Sequence, residues 1–153
     1  MHETLDAGEI CSRIVTIAPR EMAVDDAAGL MRAHHVGCLV VVDDGPAGRR
    51  PLGILTDRDI VTAVVAQDVD PKTLRVGDVM SVDVASVREH DTLYDVLATM
   101  RSRGVRRLPV LGPHGVLAGI LSQDDVLSAI AGQLQALAAV QVREQRHEAA
   151  FRP

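Results

Sequence analysis

Two hydroxyl side chains, each followed three residues later by an aspartate, are the best candidates for binding chemistry in this sequence. Thr56 precedes Asp59 and Ser122 precedes Asp125, and each pair follows a short apolar segment. A hydroxyl beside the free N–H groups of a helix start favours an anion such as phosphate. A carboxylate one turn away accepts hydrogen bonds from two vicinal hydroxyls, as on a ribose. The pattern therefore indicates a ribose-phosphate site.

Helix capping explains the same spacing without any ligand. Ser or Thr at the start of a helix, with an acidic residue three positions later, is a variant of the capping box. A duplication copies a cap as readily as a binding site, so two copies do not decide between these interpretations. The glycines three residues before the hydroxyls, Gly53 and Gly119, indicate that another backbone segment approaches each apolar strand closely.

Both pairs belong to a longer internal repeat, and such repeats define the architecture of a chain. Residues 53–60 return as residues 119–126 at an offset of 66, and residues 31–36 return as residues 100–105 at an offset of 69. The sequence therefore predicts two similar structural units.

Each unit is predicted to follow the order β-α-β-β-α, because apolar residues alternate between extended runs and helical spacing. The first unit has predicted strands at residues 14–17, 36–42 and 51–55, a helix over residues 24–34, a turn at residues 43–48 and a second helix from Thr56. The second unit has predicted strands at residues 84–87, 108–111 and 116–121, a helix capped by Thr92 and a last helix from Ser122.

The predicted fold class is mixed α/β (α+β), with two packed repeats. We divide the chain into a first repeat (residues 9–67), a linker (68–78), a second repeat (79–131) and a C-terminal helical tail (132–153). Leu134, Leu137 and Val140 give the tail a modest apolar stripe. Two interpretations of the tail are a solvated terminus and a helix that packs on a partner subunit.

Composition excludes several classes of function. The 153 residues carry a net charge of −5, which disfavours a nucleic-acid surface. Tyr94 and Phe151 are the sole aromatic residues, so base-stacking platforms are also disfavoured. We expect that no apolar run approaches the roughly 18 residues of a membrane helix, and we expect a cytoplasmic protein without a membrane partner. The two cysteines, Cys11 and Cys38, are predicted to be buried thiols.

Catalytic and metal-binding signals are weak. The six histidines show neither HExxH nor Cys/His ligand spacing, so no metal site is predicted. Ser122 has no histidine base near it in the sequence, and no nucleophile or Walker motif occurs. We therefore expect the protein not to be an enzyme.

The chain resembles a tandem pair of CBS domains, a Bateman module, over about residues 9–131. The resemblance is carried by Asp78-Val79-Met80 at the start of the second repeat, by Val105-Arg106-Arg107-Leu108-Pro109-Val110, and by the two Gly-x-x-Thr/Ser-x-x-Asp steps. Each motif is weak alone, whereas the full order at matching spacing in two copies is specific.

The resemblance implies a regulatory or sensor module with pseudo-two-fold symmetry. Such modules bind adenine nucleotides of the AMP, ADP, ATP or NAD type in a cleft between the repeats, without catalysis and without a required cofactor. Single modules of this kind pair as homodimers, and an unidentified regulated protein is a further expected partner. The alternative is a ligand-free module for protein interaction or dimerisation.

The resemblance also implies roles for individual residues. Phosphate and ribose are expected on Thr56, Arg58 and Asp59 in one site and on Ser122 and Asp125 in the other. The first two strands of each repeat are expected to hold the adenine, through Val15, Ile17, Val36, Cys38, Val84, Val87, Val105, Arg107 and Pro109.

The two expected sites are unequal. Arg58, a good fork-shaped donor to phosphate, has Asp124 as its counterpart in the second repeat. Asp124 adds repulsion, which Arg106 and Arg107 are expected to offset across the cleft. The site of Thr56 and Asp59 is therefore predicted to be the stronger one.

Overall fold

The computed structural model describes residues 5–152 and has a mixed α+β fold, as predicted. Two three-stranded sheets, ordered β1-β2-β3 and β4-β5-β6, each combine a parallel and an antiparallel pair. The elements in chain order are α1 (Ala7–Ile10), β1 (Ile17–Pro19), α2 (Val24–His34), β2 (Cys38–Gly45), β3 (Gly48–Thr56), α3 (Asp57–Ile60), α4 (Val76–Val79), β4 (Val87–Arg88), α5 (Leu93–Arg103), β5 (Arg107–Leu111), β6 (Leu117–Ser122) and α6 (Gln123–Phe151).

Helix α2 has the predicted bounds, because its apolar spacing and acidic first turn agree. Val24, Ala27 and Met31 are buried on one face, and the acidic residues of the first turn complement the helix dipole. Helices α2 and α5 both end in a left-handed residue, His35 (φ 54°) and Gly104 (φ 63°) respectively. Glycine adopts this conformation without steric cost, whereas histidine does not.

The predicted first strands of both repeats were placed too early. Strand β1 begins only at Ile17 and β4 only at Val87, at the ends of the predicted segments 14–17 and 84–87. The Thr16 carbonyl still accepts from the Val40 N–H of β2 at 3.1 Å, whereas residues further upstream pair with the other repeat. Ser12 forms an antiparallel bridge with Ile120 of the second repeat, and Ser81 forms one with Ile54 of the first.

Three further predictions differ in detail. The predicted turn at 43–48 was too long, because the β2–β3 hairpin pairs as far as Gly45 and Gly48. Helix α3 continues as a π-helical turn over Val61–Val65. The predicted C-terminal helix is present but continues the last helix of the second repeat, because α6 runs without a break through residue 132; Pro153 lies outside the described residues.

The repeats exchange their first helices. Ala7 of α1 is fully buried in the hydrophobic core of the second repeat, and Val76 of α4 is fully buried in the core of the first. The Ala7 N–H donates to the Asp91 carbonyl, and the Val76 N–H donates to the Met22 carbonyl, each at 2.8 Å. Val76 lies in the segment predicted as a linker, so that linker ends in a core helix. The segment that precedes the first strand of a repeat is termed its lead-in segment. The core of each repeat therefore requires the lead-in segment of the other repeat.

Contrary to the expectation from the sequence, helix α6 is long and apolar enough by length and composition to cross a membrane, and it is the one such helix within residues 5–152. Its Val126 is 1% exposed in the core of the second repeat, which leaves residues 127–142 as the uncharged stretch. Sixteen residues at 1.5 Å each span about 24 Å, less than the roughly 30 Å of a bilayer core. Leu134, Leu137 and Val140 are 62%, 67% and 59% exposed, so the tail has an uncovered apolar stripe.

Candidate functional site

Both hydroxyl–aspartate pairs form capping boxes. The Asp59 N–H donates to Thr56 Oγ1 at 3.2 Å, and the Thr56 N–H donates to Asp59 Oδ2 at 2.8 Å. In the second repeat, the Asp125 N–H donates to Ser122 Oγ at 3.2 Å, and the Ser122 N–H donates to Asp125 Oδ2 at 2.7 Å. The hydrogen bonds described for each carboxylate fall on Oδ2, which leaves Oδ1 for a ligand.

A third capping box in the chain shows the effect of helix capping at a place outside both candidate sites. Thr92 and Asp95 at the start of α5 make the same reciprocal bonds, at 3.3 Å and 2.9 Å. The hydrogen bond from the Thr92 hydroxyl is the main cause that lowers the pKa of the Asp95 carboxyl. This pair lies at neither cleft described below. Capping alone thus accounts for the spacing of the hydroxyl and the aspartate. Only the residues around each pair can distinguish a binding site from a simple helix cap.

A cavity of about 340 Å³ lies between the repeats at Thr56 and Asp59 and is termed the first cleft. Its size is in the range of pockets that hold a nucleotide-sized ligand. Its lining residues are Cys38, Ile54, Thr56, Asp57, Arg58, Asp59, Ser81, Asp83, Val84, Ala85, Gly104, Val105, Arg106 and Arg107.

A second cavity of about 310 Å³ lies at Ser122 and Asp125 and is termed the second cleft. Its lining residues are Ser12, Val15, Thr16, His35, Val36, Gly37, Cys38, Arg107, Ile120, Ser122, Asp124 and Asp125. Nearly all of them are repeat counterparts of residues that line the first cleft.

Each cleft combines the helix start of one repeat with the lead-in strand of the other. Thr56 and Asp59 face Val84 and Val105 of the second repeat. The exchange of lead-in segments causes this crossing, which sequence reasoning missed along with Ser81, Asp83, Ile54 and Ile120.

The repeated glycines were the signal for this crossing. A Cβ added to Gly53 would lie 2.8 Å from the Ser81 carbonyl oxygen, and one added to Gly119 would lie 2.7 Å from the Ser12 carbonyl oxygen. Both glycines lie within strands rather than at their starts. The predicted close backbone approach is therefore present, and the approaching segment comes from the other repeat.

Eleven of the fourteen predicted site residues line a cleft. The other three, Ile17, Val87 and Pro109, lie in the sheets instead. Val87 is 3% exposed in the second core, Pro109 is buried in β5, and Ile17 lies in register with Val40 in the first sheet. Because the strands begin at Ile17 and Val87, residues just before them form the cleft walls.

The charges of the two clefts differ. In the first cleft, three arginines (Arg58, Arg106 and Arg107) accompany three aspartates (Asp57, Asp59 and Asp83). In the second cleft, Arg107 is the one arginine in the described lining, beside Asp124, Asp125 and the imidazole of His35. The first cleft therefore offers more cationic donors to an anionic ligand.

Cys38 lies in the wall between the clefts. Burial raises the pKa of its thiol to about 11, against a smaller lowering by Arg107. The thiol is therefore neutral at physiological pH. Among residues 5–152, no group of three or more His, Cys, Asp or Glu side chains is placed to hold a metal ion.

Residues 7–66 and residues 76–132 each match the family model of the CBS domain. The chain belongs to the CBS-domain family. The two matched spans include α1 and α4, the exchanged helices, so the CBS repeat includes its lead-in segment. The chain is thus a CBS-domain pair, a regulatory module.

Relatives of this CBS-domain pair share the same span. An uncharacterised protein of Methanopyrus kandleri is 35% identical over 125 residues, which are 81% of this chain and 62% of that protein, so the chain spans less than two thirds of its length. Hypoxic response protein 1 of Mycobacterium tuberculosis is 32% identical over 120 residues, 78% of this chain and 81% of that protein.

Two solved structures show the shared fold. The crystal structure of Hypoxic Response Protein I with two coordinated zinc ions has a TM-score of 0.70 at 31% identity, covering 81% of this chain and 98% of that one. A CBS domain pair in complex with 5′-methylthioadenosine and S-adenosyl-L-methionine has a TM-score of 0.73 at 22% identity, covering 85% of this chain and 98% of that one.

Proposed function

We propose that this CBS-domain pair is a non-catalytic sensor of an adenine nucleotide, and that the first cleft is its tighter site. The observation that carries the proposal is the composition of that cleft. Thr56 and Asp59 line a 340 Å³ space together with apolar Val84 and Val105 and with three arginines.

Each wall of the first cleft fits one part of a nucleotide. The free Oδ1 of Asp59 accepts from ribose hydroxyls, and Thr56 and Arg58 lie where a phosphate attached to that ribose would reach. The aliphatic side chains of Val84 and Val105 fit the faces of adenine. A ligand that contacts both repeats at once biases their relative packing, which is how binding becomes a signal.

The ligand class has support from the protein of the same fold crystallised with two adenosine derivatives. These derivatives and the common adenine nucleotides share an adenosine, which is the part that Asp59 and the apolar wall address. A panel of AMP, ADP, ATP, NAD and S-adenosyl-L-methionine therefore samples the proposed class.

The test is calorimetric titration of the chain with this panel, with Asp59→Ala as the variant. Loss of an acceptor from ribose costs on the order of 1.5–3 kcal/mol, so affinity falls about 10- to 150-fold. Asp95→Ala is the matched control, because it removes the equivalent capping carboxylate of α5 away from both clefts. Its affinity stays at the wild-type value.

The two variants also separate folding from binding. Loss of either capping carboxylate lowers the free energy of unfolding by roughly 0.5–2 kcal/mol. Equal affinity of both variants for every ligand would show that Asp59 only caps its helix. No binding of any panel member to the wild-type chain would overturn the proposed function.

We further propose that the module forms a homodimer through the exposed stripe of α6. The stripe is uncharged and apolar, and its Leu134 and Leu137 are more than 60% exposed. Apolar stripes on helices are stable in water when a second helix covers them. In light scattering, the double variant Leu134→Glu/Leu137→Glu is expected to be monomeric, whereas Gln135→Glu on the same helix stays dimeric. A wild-type monomer would contradict this proposal.

A further inference from the structure

The two clefts share two residues, Cys38 and Arg107. They are counterparts in the repeat, because Cys38 lies opposite Thr56 in the first sheet and Arg107 lies opposite Ser122 in the second. Their closeness is evident in the influence of Arg107 on the Cys38 thiol. The wall between the clefts is therefore made of one pair of equivalent positions.

These equivalent positions carry different chemistry. Cys38 is 6% exposed and uncharged, so it gives neither cleft a donor for phosphate. Arg107 is partly buried and lines both clefts with its permanent positive charge. A single cation thus serves two sites.

The second cleft depends on this cation more than the first. The first cleft also has Arg58 and Arg106, whereas Arg107 is the one arginine among the described residues that line the second. Arg106 comes no nearer to the second cleft than a small cavity of about 80 Å³ beside Ser122 and Asp124. A phosphate in the first cleft forms an ion pair with the Arg107 guanidinium, so this positive charge is no longer free for another ligand. A second phosphate then meets Asp124 and Asp125 in the second cleft after the Arg107 charge has already been engaged by the first phosphate.

We propose that Arg107 couples the clefts, so that an anionic nucleotide in the first cleft weakens binding of a second one. This inference rests on the proposed function, since it requires adenine nucleotides in both clefts. The coupling is reciprocal, as any coupling between binding equilibria must be. The module would then respond over a wider range of nucleotide concentration than two independent sites.

The test measures the affinity of the second cleft for AMP in two states, one in which the first cleft is filled and one in which it is empty. In the wild type, the weaker step of a calorimetric titration reports the second cleft after the first has filled. In Asp59→Ala, whose first cleft is weakened, the second cleft binds while the first is largely empty. We expect AMP to bind the second cleft at least about fivefold more tightly in Asp59→Ala, the lower end of typical couplings.

Two comparisons assign this coupling to charge and to Arg107. Uncharged adenosine is expected to show the same second-cleft affinity in the wild type and in Asp59→Ala. In an Arg107→Ala background, the difference for AMP disappears, whereas Arg107→Lys retains part of it. Arg58→Ala is an independent check, because Arg58 lines the first cleft alone; it weakens the first step while Arg107 stays in place, and it is expected to give the second cleft the same raised affinity for AMP as Asp59→Ala.

The possible failures are distinct. Equal second-cleft affinity for AMP in the wild type and Asp59→Ala, or tighter binding when the first cleft is full, would overturn the coupling. So would AMP binding to the first cleft alone. Each of these results leaves nucleotide binding itself established, whereas failure of every form to bind AMP or adenosine overturns both proposals.

Discussion

The first and second clefts have the same backbone plan and different charges. Thr56 and Ser122 are equivalent caps, and both clefts are closed by a lead-in segment from the other repeat. Around these caps, Arg58 has Asp124 as its counterpart, and Gly104 has His35. The capping residues Thr56 and Ser122 are thus equivalent in the two repeats, whereas the side chains around them in the clefts differ in charge.

This difference separates two kinds of constraint. Gly53 and Gly119 are repeated because any Cβ at these positions would collide with the crossing backbone. Arg58 and Asp124 are exposed side chains on a helix start, and either one is compatible with the capping box. The fold can therefore carry side chains of opposite charge at positions 58 and 124 without loss of either capping box.

The largest expected effect comes from breaking the crossing at one cleft. Gly119→Ala places a Cβ 2.7 Å from the Ser12 carbonyl oxygen, and relief of this overlap lowers the free energy of unfolding by about 1–3 kcal/mol. Urea denaturation measures this loss. Gly29→Ala in α2 is the control, since no atom lies within 4 Å of its added Cβ; it is expected to stabilise the protein by about 0.5–1 kcal/mol.

The same glycine substitutions distinguish the clefts. Gly119→Ala displaces the lead-in segment that carries Ser12 and Val15, which line the second cleft. Gly53→Ala displaces the lead-in segment that carries Ser81 and Val84, which line the first cleft. Each is expected to weaken nucleotide binding mainly in its own cleft. Equal loss at both clefts in either variant would contradict the crossed arrangement.

A smaller effect is expected from the shared wall at high pH. The pKa of the Cys38 thiol is raised from about 9 to about 11 by burial, so the unfolded chain releases this proton first. The stabilisation is complete below pH 9 and is lost as the pH rises towards 11, by on the order of 2 kcal/mol.

The measurement for Cys38 is the free energy of unfolding between pH 8 and pH 11 in the wild type and in Cys38→Val. The valine variant has no thiol to titrate and is expected to lose less stability over this range. Parallel curves for the two proteins would show that the thiol does not contribute.

The smallest of the three effects sharpens the charge comparison. Asp124→Arg gives the second cleft the counterpart of Arg58 and is expected to raise its affinity for AMP about tenfold, which corresponds to about 1.4 kcal/mol. Asp124→Ala serves as the control for simple loss of repulsion and is expected to give a smaller gain. An unchanged second-step affinity in Asp124→Arg would place the phosphate away from this position.

The elements of the fold followed from local patterns in the sequence. Apolar spacing predicted α2 over residues 24–34, and the hydroxyl–aspartate steps predicted the helix starts at Thr56 and Ser122. The relation between the repeats did not follow, because the bridge between Ser12 and Ile120 joins residues far apart in sequence. No local pattern in the sequence predicts such a pairing. The one local sign of it is the glycine at position 119 within the strand, where the lack of a side chain allows another backbone segment to approach.

Prediction of the site was limited by the same non-local step. The hydroxyl–aspartate side of each cleft was predicted by residue type, since Thr56, Arg58 and Asp59 lie within one turn. The apolar side was predicted within each repeat, whereas the structure supplies it from the other one. Ile17 and Val87 were included because the strands were placed too early.

The exchanged helices have a consequence for the order of synthesis. Val76 is made soon after the first repeat, so the first core is complete once the chain passes residue 80. Ala7 is made before the first repeat, but its core is complete only when Val126 has been made. Helix α1 must therefore wait uncovered until the second repeat has been synthesised, and contacts this distant in sequence slow the final folding step. Neither repeat, released alone, would have its full core.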